Sequence, residues 1–147
     1  MKAKNIKENR TKFTTSTDLR IRFNEIDVLG IVWHGHYIKY FEDAREAFGK
    51  EHNISYLDQK NNGFASPIIK LICEHKLPLR YEDFATIEAT YIDSPAVKMI
   101  FEYKIINSQG KLVCEGKTVQ VFVDFNGVLC LTYPPFFETW KRKKGLL

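Results

Sequence analysis

No stretch of this sequence approaches the roughly 20 consecutive apolar residues of a membrane-spanning helix, and the N-terminus, MKAKNIKENRTK, has no apolar leader core. No membrane association is expected, and the expected location is the cytoplasm. Cysteine is scarce: Cys73, Cys114 and Cys130 are far apart, odd in number and form no C-x-x-C pair. That excludes a disulfide scaffold and fits a reduced compartment. There is no internal repeat, no low-complexity tract, no Gly-rich phosphate loop and no Ser-His-Asp signature. Charge of one sign is also in short supply. The net charge of +4 resides largely in the first dozen residues and in KRKK, Lys141 to Lys144. Such ends are usually solvated, so no nucleic-acid partner is expected.

What is present suits one folded domain. The chain has 147 residues, of which 44% are hydrophobic, 14% aromatic and 27% charged. That length buries one real core but not two. A polar arm (1–14), a main domain (15–140) and a basic tail (141–147) are expected.

The hydrophobic period changes along the chain. Leu19, Ile21 and Phe23 alternate with Arg20, Arg22 and Asn24, the pattern of a half-buried strand. From Gly35 to Lys50 the period becomes helical. Tyr37, Phe41, Ala44 and Phe48 form a stripe widened by Ile38, Tyr40 and Ala47, while Lys39, Glu42, Asp43 and Glu46 fall on the other side. An irregular stretch, Asn53 to Gly63, ends in the turn signal KNNG.

Four strand candidates follow, around Ile69–Leu77, Thr86–Tyr91, Lys98–Ile105 and Lys111–Asp124, joined by short turn-like links. In the last, the apolar phase switches between Cys114 and Val119, with Gly116 marking either a bulge or a close approach of the helix. The order predicts an α+β fold: an antiparallel five-stranded sheet wrapped around one long central helix. Unpaired sheet edges leave room for a second copy.

The stretch NEIDVLGIVWHGHY, Asn24 to Tyr37, holds the chemistry. Asp27 stands too far before the helix to be its N-cap. Gly30 permits a tight turn that folds the carboxylate back towards the helix start, where free amides and the positive dipole end converge. A carboxylate beside such an N–H suits attack on a carbonyl, as nucleophile or as general base. Turn aspartates are common, and by the residues alone the turn role is the commoner one.

Asp27-x-x-Gly30-Ile31-Val32-Trp33-His34-x-x-Tyr37, followed by Phe41-Glu42-x-Ala44-Arg45, resembles the signature of the 4-hydroxybenzoyl-CoA thioesterase family of hotdog-fold acyl-CoA thioesterases. The likeness continues through Ser66-Pro67-Ile68, PLRYED (Pro78 to Asp83) and VFVD (Val121 to Asp124), across residues 15–140. It implies a hotdog fold and hydrolysis of an acyl-CoA thioester to free acid and CoA. By the resemblance Asp27 is the catalytic acid and the His34 backbone amide polarises the thioester carbonyl. Gly30, Tyr37 and Lys98 line or hold the substrate, and the site lies between subunits of a homodimer or homotetramer. No cofactor and no metal are implied. Two departures stand out: His36 replaces a frequent Asn, and the loop SPAVK (Ser94 to Lys98) offers Lys98 as its one cation.

His34 and His36 fit a helix start better than a metal site, since no further ligands stand at convincing spacing. Their imidazoles could also tune the Asp27 carboxylate or hold a water. Cys73 and His75 share a strand face, where a buried thiol and a hydrogen-bonded imidazole are the ordinary outcome. Glu42 and Glu46, one turn apart, are expected on a solvated face, with Glu42 pairing Lys39 or Arg45. The functional rivals are an acyl-thioester dehydratase or hydratase, which needs a base near the acyl Cα–Cβ bond, and a non-catalytic acyl-CoA-binding protein.

Overall fold

The computed structural model describes residues 13–147. In chain order it contains β1 (Thr14–Arg20), a 3-10 turn (Phe23–Glu25), α1 (His36–Glu51), α2 (Tyr56–Asn61), β2 (Phe64–Ala65), β3 (Ile68–His75), β4 (Phe84–Ile92), β5 (Lys98–Asn107), β6 (Leu112–Val121), β7 (Val123–Asp124) and α3 (Pro135–Lys143). One five-stranded sheet has the order β1-β4-β5-β6-β3, and β2 pairs separately with β7. All its pairings are antiparallel.

The wide apolar stripe of α1 makes it the centre of the fold. Tyr37, Tyr40, Phe41, Ala44, Phe48 and Gly49 are buried. Phe41 stacks on Tyr103 of β5 with ring centroids 4.6 Å apart, and Phe48 meets Phe101 edge-on at 5.0 Å. Fully burying side chains such as Phe41 and Phe48 is worth about 1.5–3 kcal/mol apiece. In β4 and β5 the period-2 pattern holds as expected: Ile87, Ala89 and Tyr91 are buried, as are Met99, Phe101, Tyr103 and Ile105.

From Cys114 on, β6 keeps one phase: Cys114, Gly116, Thr118 and Gln120 pair with the buried residues of β5, and a bulge and a glycine disguise this in the sequence. Ile105 pairs with Cys114 but Ile106 pairs with Leu112, so Val113 is the extra residue of a bulge. Val113 and Cys114 are therefore both buried. Gly116 is where the helix comes close: a Cβ there would lie 2.3 Å from the Phe41 ring and 2.8 Å from the Ile72 carbonyl oxygen.

Three expectations are corrected. The first strand ends earlier than the Leu19–Phe23 alternation suggests. Leu19 and Ile21 are buried, but Phe23 is 75% exposed because the chain turns there. The Glu25 carboxylate accepts the Arg22 N–H at 2.7 Å, drawing the backbone out of the sheet.

The stretch after α1 is not irregular. It forms α2, started by a reciprocal cap in which Ser55 Oγ accepts the Asp58 N–H and Asp58 Oδ2 accepts the Ser55 N–H. Nor are residues 141–147 a solvated tail, since α3 runs through residue 140 to Lys143. Lys141, one turn from the buried Phe137, shares its apolar face and is 1% exposed. Its ammonium lies 3.1 Å from Asp93 Oδ1 and donates to the Ser94 carbonyl at 2.9 Å. At the other end, Thr14 already belongs to β1, and residues 1–12 of the expected arm lie outside the described residues.

Candidate active site

Asp27 opens a tight turn. Ile26 and Val32 form an antiparallel bridge, and the Trp33 N–H donates to the Glu25 carbonyl at 3.0 Å. At the tip, the Asp27 N–H donates to the Ile31 carbonyl at 2.9 Å and the Gly30 N–H to the Asp27 carbonyl at 3.0 Å. Gly30 has φ +77°, the left-handed conformation that closes such a loop. The Asp27 side chain joins in, its Oδ1 accepting the Leu29 N–H at 2.8 Å.

The same turn recurs at Asn107–Gly110 and Asp124–Gly127, which separates turn duty from anything further. The Asn107 Oδ1 accepts N–H groups from Gln109 and Lys111, and the Asp124 Oδ1 accepts from Asn126 and Val128. Among the described residues, the Asp27 side chain accepts from Leu29 alone. Its carboxylate is the least committed of the three, and it is half-buried beside an exposed apolar tip, Val28 and Leu29.

The stem of this turn ends at Trp33, and α1 begins three residues later. The Trp33 indole lies over Gly35, where a Cβ would sit 2.3 Å from the ring. The His36 N–H donates to the Trp33 carbonyl at 3.0 Å. The His34 N–H finds no acceptor among the described residues. The exposed His34 ring and the half-buried His36 ring both pack against Trp33, with centroids 5.1 and 5.4 Å from the indole.

The remaining candidates do not gather there. Tyr37 is 3% exposed and faces the core, edge-on to His75 with centroids 4.6 Å apart. Burial pushes its hydroxyl up to about 12. Lys98 is the first residue of β5, at the end opposite Asn107, whose neighbour in the sheet is Ala85. The Asp27 loop belongs to the Ala85 end, since Ile21 bonds Asp83 and Val32 bonds Leu79. Roughly 30 Å of strand separates Lys98 from that end of its own chain. Glu42 pairs with Arg45 at 3.6 Å, one of its two expected partners.

A family model supplies the decisive comparison, matching residues 21–140 to the thioesterase-like superfamily. The chain belongs to that superfamily. Among relatives of this thioesterase-like protein, YneP of Bacillus subtilis is 27% identical over 123 residues, spanning 84% of this chain and 89% of that one. The acyl-CoA thioester hydrolase YbgC of Escherichia coli is 24% identical over 106 residues, or 72% and 79% of the two chains. The fold is that of the DHNA-CoA thioesterase from Staphylococcus aureus, with a TM-score of 0.79 at 23% identity over 90% of this chain and 92% of that one. The hotdog architecture implied by the sequence is thereby shown.

A cleft of about 850 Å³ lies against α1 and α2, lined by Glu42, Glu46, Gln59, Ser66, Phe101 and Gln120 among others. Asp27, Gly30, His34, Tyr37 and Lys98 are not part of its lining. On its wall Gln120 Nε2 donates to the Ser66 carbonyl at 2.8 Å and to Ser66 Oγ at 3.0 Å, and Ser66 Oγ bonds Gln59 Oε1. Gln120 Oε1 is buried with no partner among the described residues. The only sequence signal for this network was the position of Ser66 in a family motif; Gln59 and Gln120 carried none.

Proposed function

We propose that this protein hydrolyses an acyl-CoA thioester to a free acid and CoA, with Asp27 as nucleophile or general base. The observation that carries the reading is the unequal use of three like turns. Asp27 is held in place through one oxygen while its other oxygen has no partner among the described residues, in the turn whose stem leads into α1. In this reading the free oxygen takes a proton from the attacking water, or it attacks the thioester carbonyl to form an acyl-Asp27 anhydride that water then hydrolyses. The His34 N–H, at the positive end of α1, stabilises the negative charge developing on the carbonyl oxygen. The thiolate of CoA leaves and is protonated. No metal or organic cofactor takes part.

A second copy completes the site. Edge strand β3 exposes Ile69 and Ile72 and is paired on one side only among the described residues, so it suits docking in a homodimer or homotetramer. Lys98 then serves a site only as a contribution from a neighbouring copy. Among the described residues no helix is long and apolar enough to cross a membrane, and the three cysteines are free, in keeping with a cytoplasmic enzyme.

The test is thiol release across a panel of aromatic, short-chain and long-chain acyl-CoA esters. Release that is lost in Asp27→Asn supports the reading. No release from any ester sinks it, and a changed acyl double bond without release favours the dehydratase or hydratase chemistry. Binding without turnover indicates an acyl-CoA carrier. A second placement of the hydrolytic carboxylate has its own observation. Glu42 and Glu46 line a cleft of ligand size, so hydrolysis that survives Asp27→Asn but fails in Glu46→Gln or Glu42→Gln moves the chemistry there.

A further inference from the structure

We propose that Cys73, His75 and Cys114 form a binding site for a soft divalent metal ion, Zn²⁺ by preference, that clamps edge strand β3 to β6 beneath the start of α1. The three are assembled by strand register. Cys73 and His75 lie two apart on β3 and share its helix-facing side, while β6 sets Cys114 directly opposite His75. Their ligand atoms all lie within 4.8 Å of one another, and among the described residues no other group of His, Cys, Asp and Glu is brought together in this way.

The spacing matches a coordination polyhedron. Tetrahedral Zn²⁺ with its usual bond lengths sets two sulfur ligands about 3.8 Å apart and a sulfur and a nitrogen about 3.5 Å apart. Cys73 Sγ lies 3.6 Å from Cys114 Sγ and 3.5 Å from His75 Nε2. Two edges of the tetrahedron are therefore already present, and the third pair, Cys114 and His75, lies within 4.8 Å. The donor set, two thiols and an imidazole, is one that Zn²⁺ takes with a fourth position left to water or another ligand.

The surroundings favour a metal over thiol redox chemistry. Cys114 is fully buried, which keeps its thiol away from dissolved oxidants and thiol reagents. A bound cation displaces both thiol protons to solvent and supplies the charge that makes thiolates tolerable in that place. The Tyr37 ring sits edge-on to His75, so the site also fixes the first buried side chain of α1. His34 and His36 are not part of it.

The experiment uses the full-length, untagged chain under reducing conditions, titrated with Zn²⁺ and separately with Co²⁺ as a spectroscopic stand-in. Expected are one ion per chain, thiolate-to-cobalt charge-transfer absorption with the visible bands of tetrahedral Co²⁺, and protection of the half-buried Cys73 from a thiol reagent. Cys73→Ser and Cys114→Ser each lose the charge-transfer intensity of one sulfur and weaken Zn²⁺ binding by more than the roughly 10–100-fold that even an outer-shell partner contributes. Cys130→Ser, outside the cluster, binds as the wild type does. His75→Ala keeps both sulfur contributions but shifts the visible bands. Absence of thiolate-to-cobalt absorption in the reduced wild type overturns the proposal. So does equal binding by the Cys73→Ser and wild-type chains. A Cys73–Cys114 disulfide forming in air, with no ion bound after reduction, also overturns it.

Discussion

The Gly30 N–H donates to the Asp27 carbonyl at 3.0 Å, and this bond defines how the proposed catalytic acid is presented. It closes a turn in which the backbone of Asp27 is used twice and its side chain only once. A carboxylate so held keeps its position without exhausting its acceptor capacity. That combination is what a nucleophile or base needs and what a purely structural aspartate does not.

Asp27→Asn tests this with little structural ambiguity, because Asn107 holds the same turn with an amide side chain. The variant is expected to fold as the wild type does and to lose about 10²–10⁴-fold in thiol release. Asp124→Asn, in the third turn, is expected to keep its activity. Measured rates for the two variants side by side, with melting curves as a check on folding, decide the matter.

Gly116→Ala is expected to destabilise the chain by about 1–3 kcal/mol through overpacking. The new methyl meets both a ring and the Ile72 backbone, so rotating Phe41 alone does not relieve it. An unchanged urea midpoint would show that Phe41 does not seat over β6.

His52 gives the stability a pH dependence. Its ring stacks on Phe48 with centroids 4.3 Å apart, and burial, followed by the nearby Lys144 charge, pushes its pKa down. The unfolded chain therefore takes up a proton that the folded chain resists. Stability is full above the ordinary histidine value of about 6.5 and falls as the pH drops below it. Melting temperatures across that range should show the fall in the wild type and a flatter profile in His52→Phe.

Lys141→Met keeps the aliphatic stem but removes the ammonium that serves Asp93 and the Ser94 carbonyl. A loss of about 1–3 kcal/mol is expected, with Lys141→Ala losing more because the stem also packs. A double-mutant cycle with Asp93→Asn isolates the ion pair from the packing. Zero coupling in that cycle would mean the pair contributes nothing.

Local patterns were legible in the chain. The helical stripe from Tyr37 to Phe48 and the alternation in β4 and β5 follow from periodicity, and the Asp27–Gly30 turn follows from residue type. The α2 helix was hidden because its signal is a short capping pair, Ser55 and Asp58, in a polar stretch. The α3 helix was obscured by its basic residues, which read as a solvated end until Asp93 and the Ser94 carbonyl are brought to Lys141.

Sequence by itself determined the elements whose apolar faces repeat with a clear period, and it determined which aspartate could stand in a tight turn before a helix. Tertiary structure alone decided which distant residues meet. It set Cys114 beside Cys73 and His75 through the β3–β6 register, and it placed Lys98 at the far end of the sheet from Asp27. The reason is physical: periodicity reports a residue's own face, whereas register depends on bulges and pairings contributed by other strands. The bulge at Val113 is one such contribution, shifting Leu112 out of phase with Cys114 and the rest of β6.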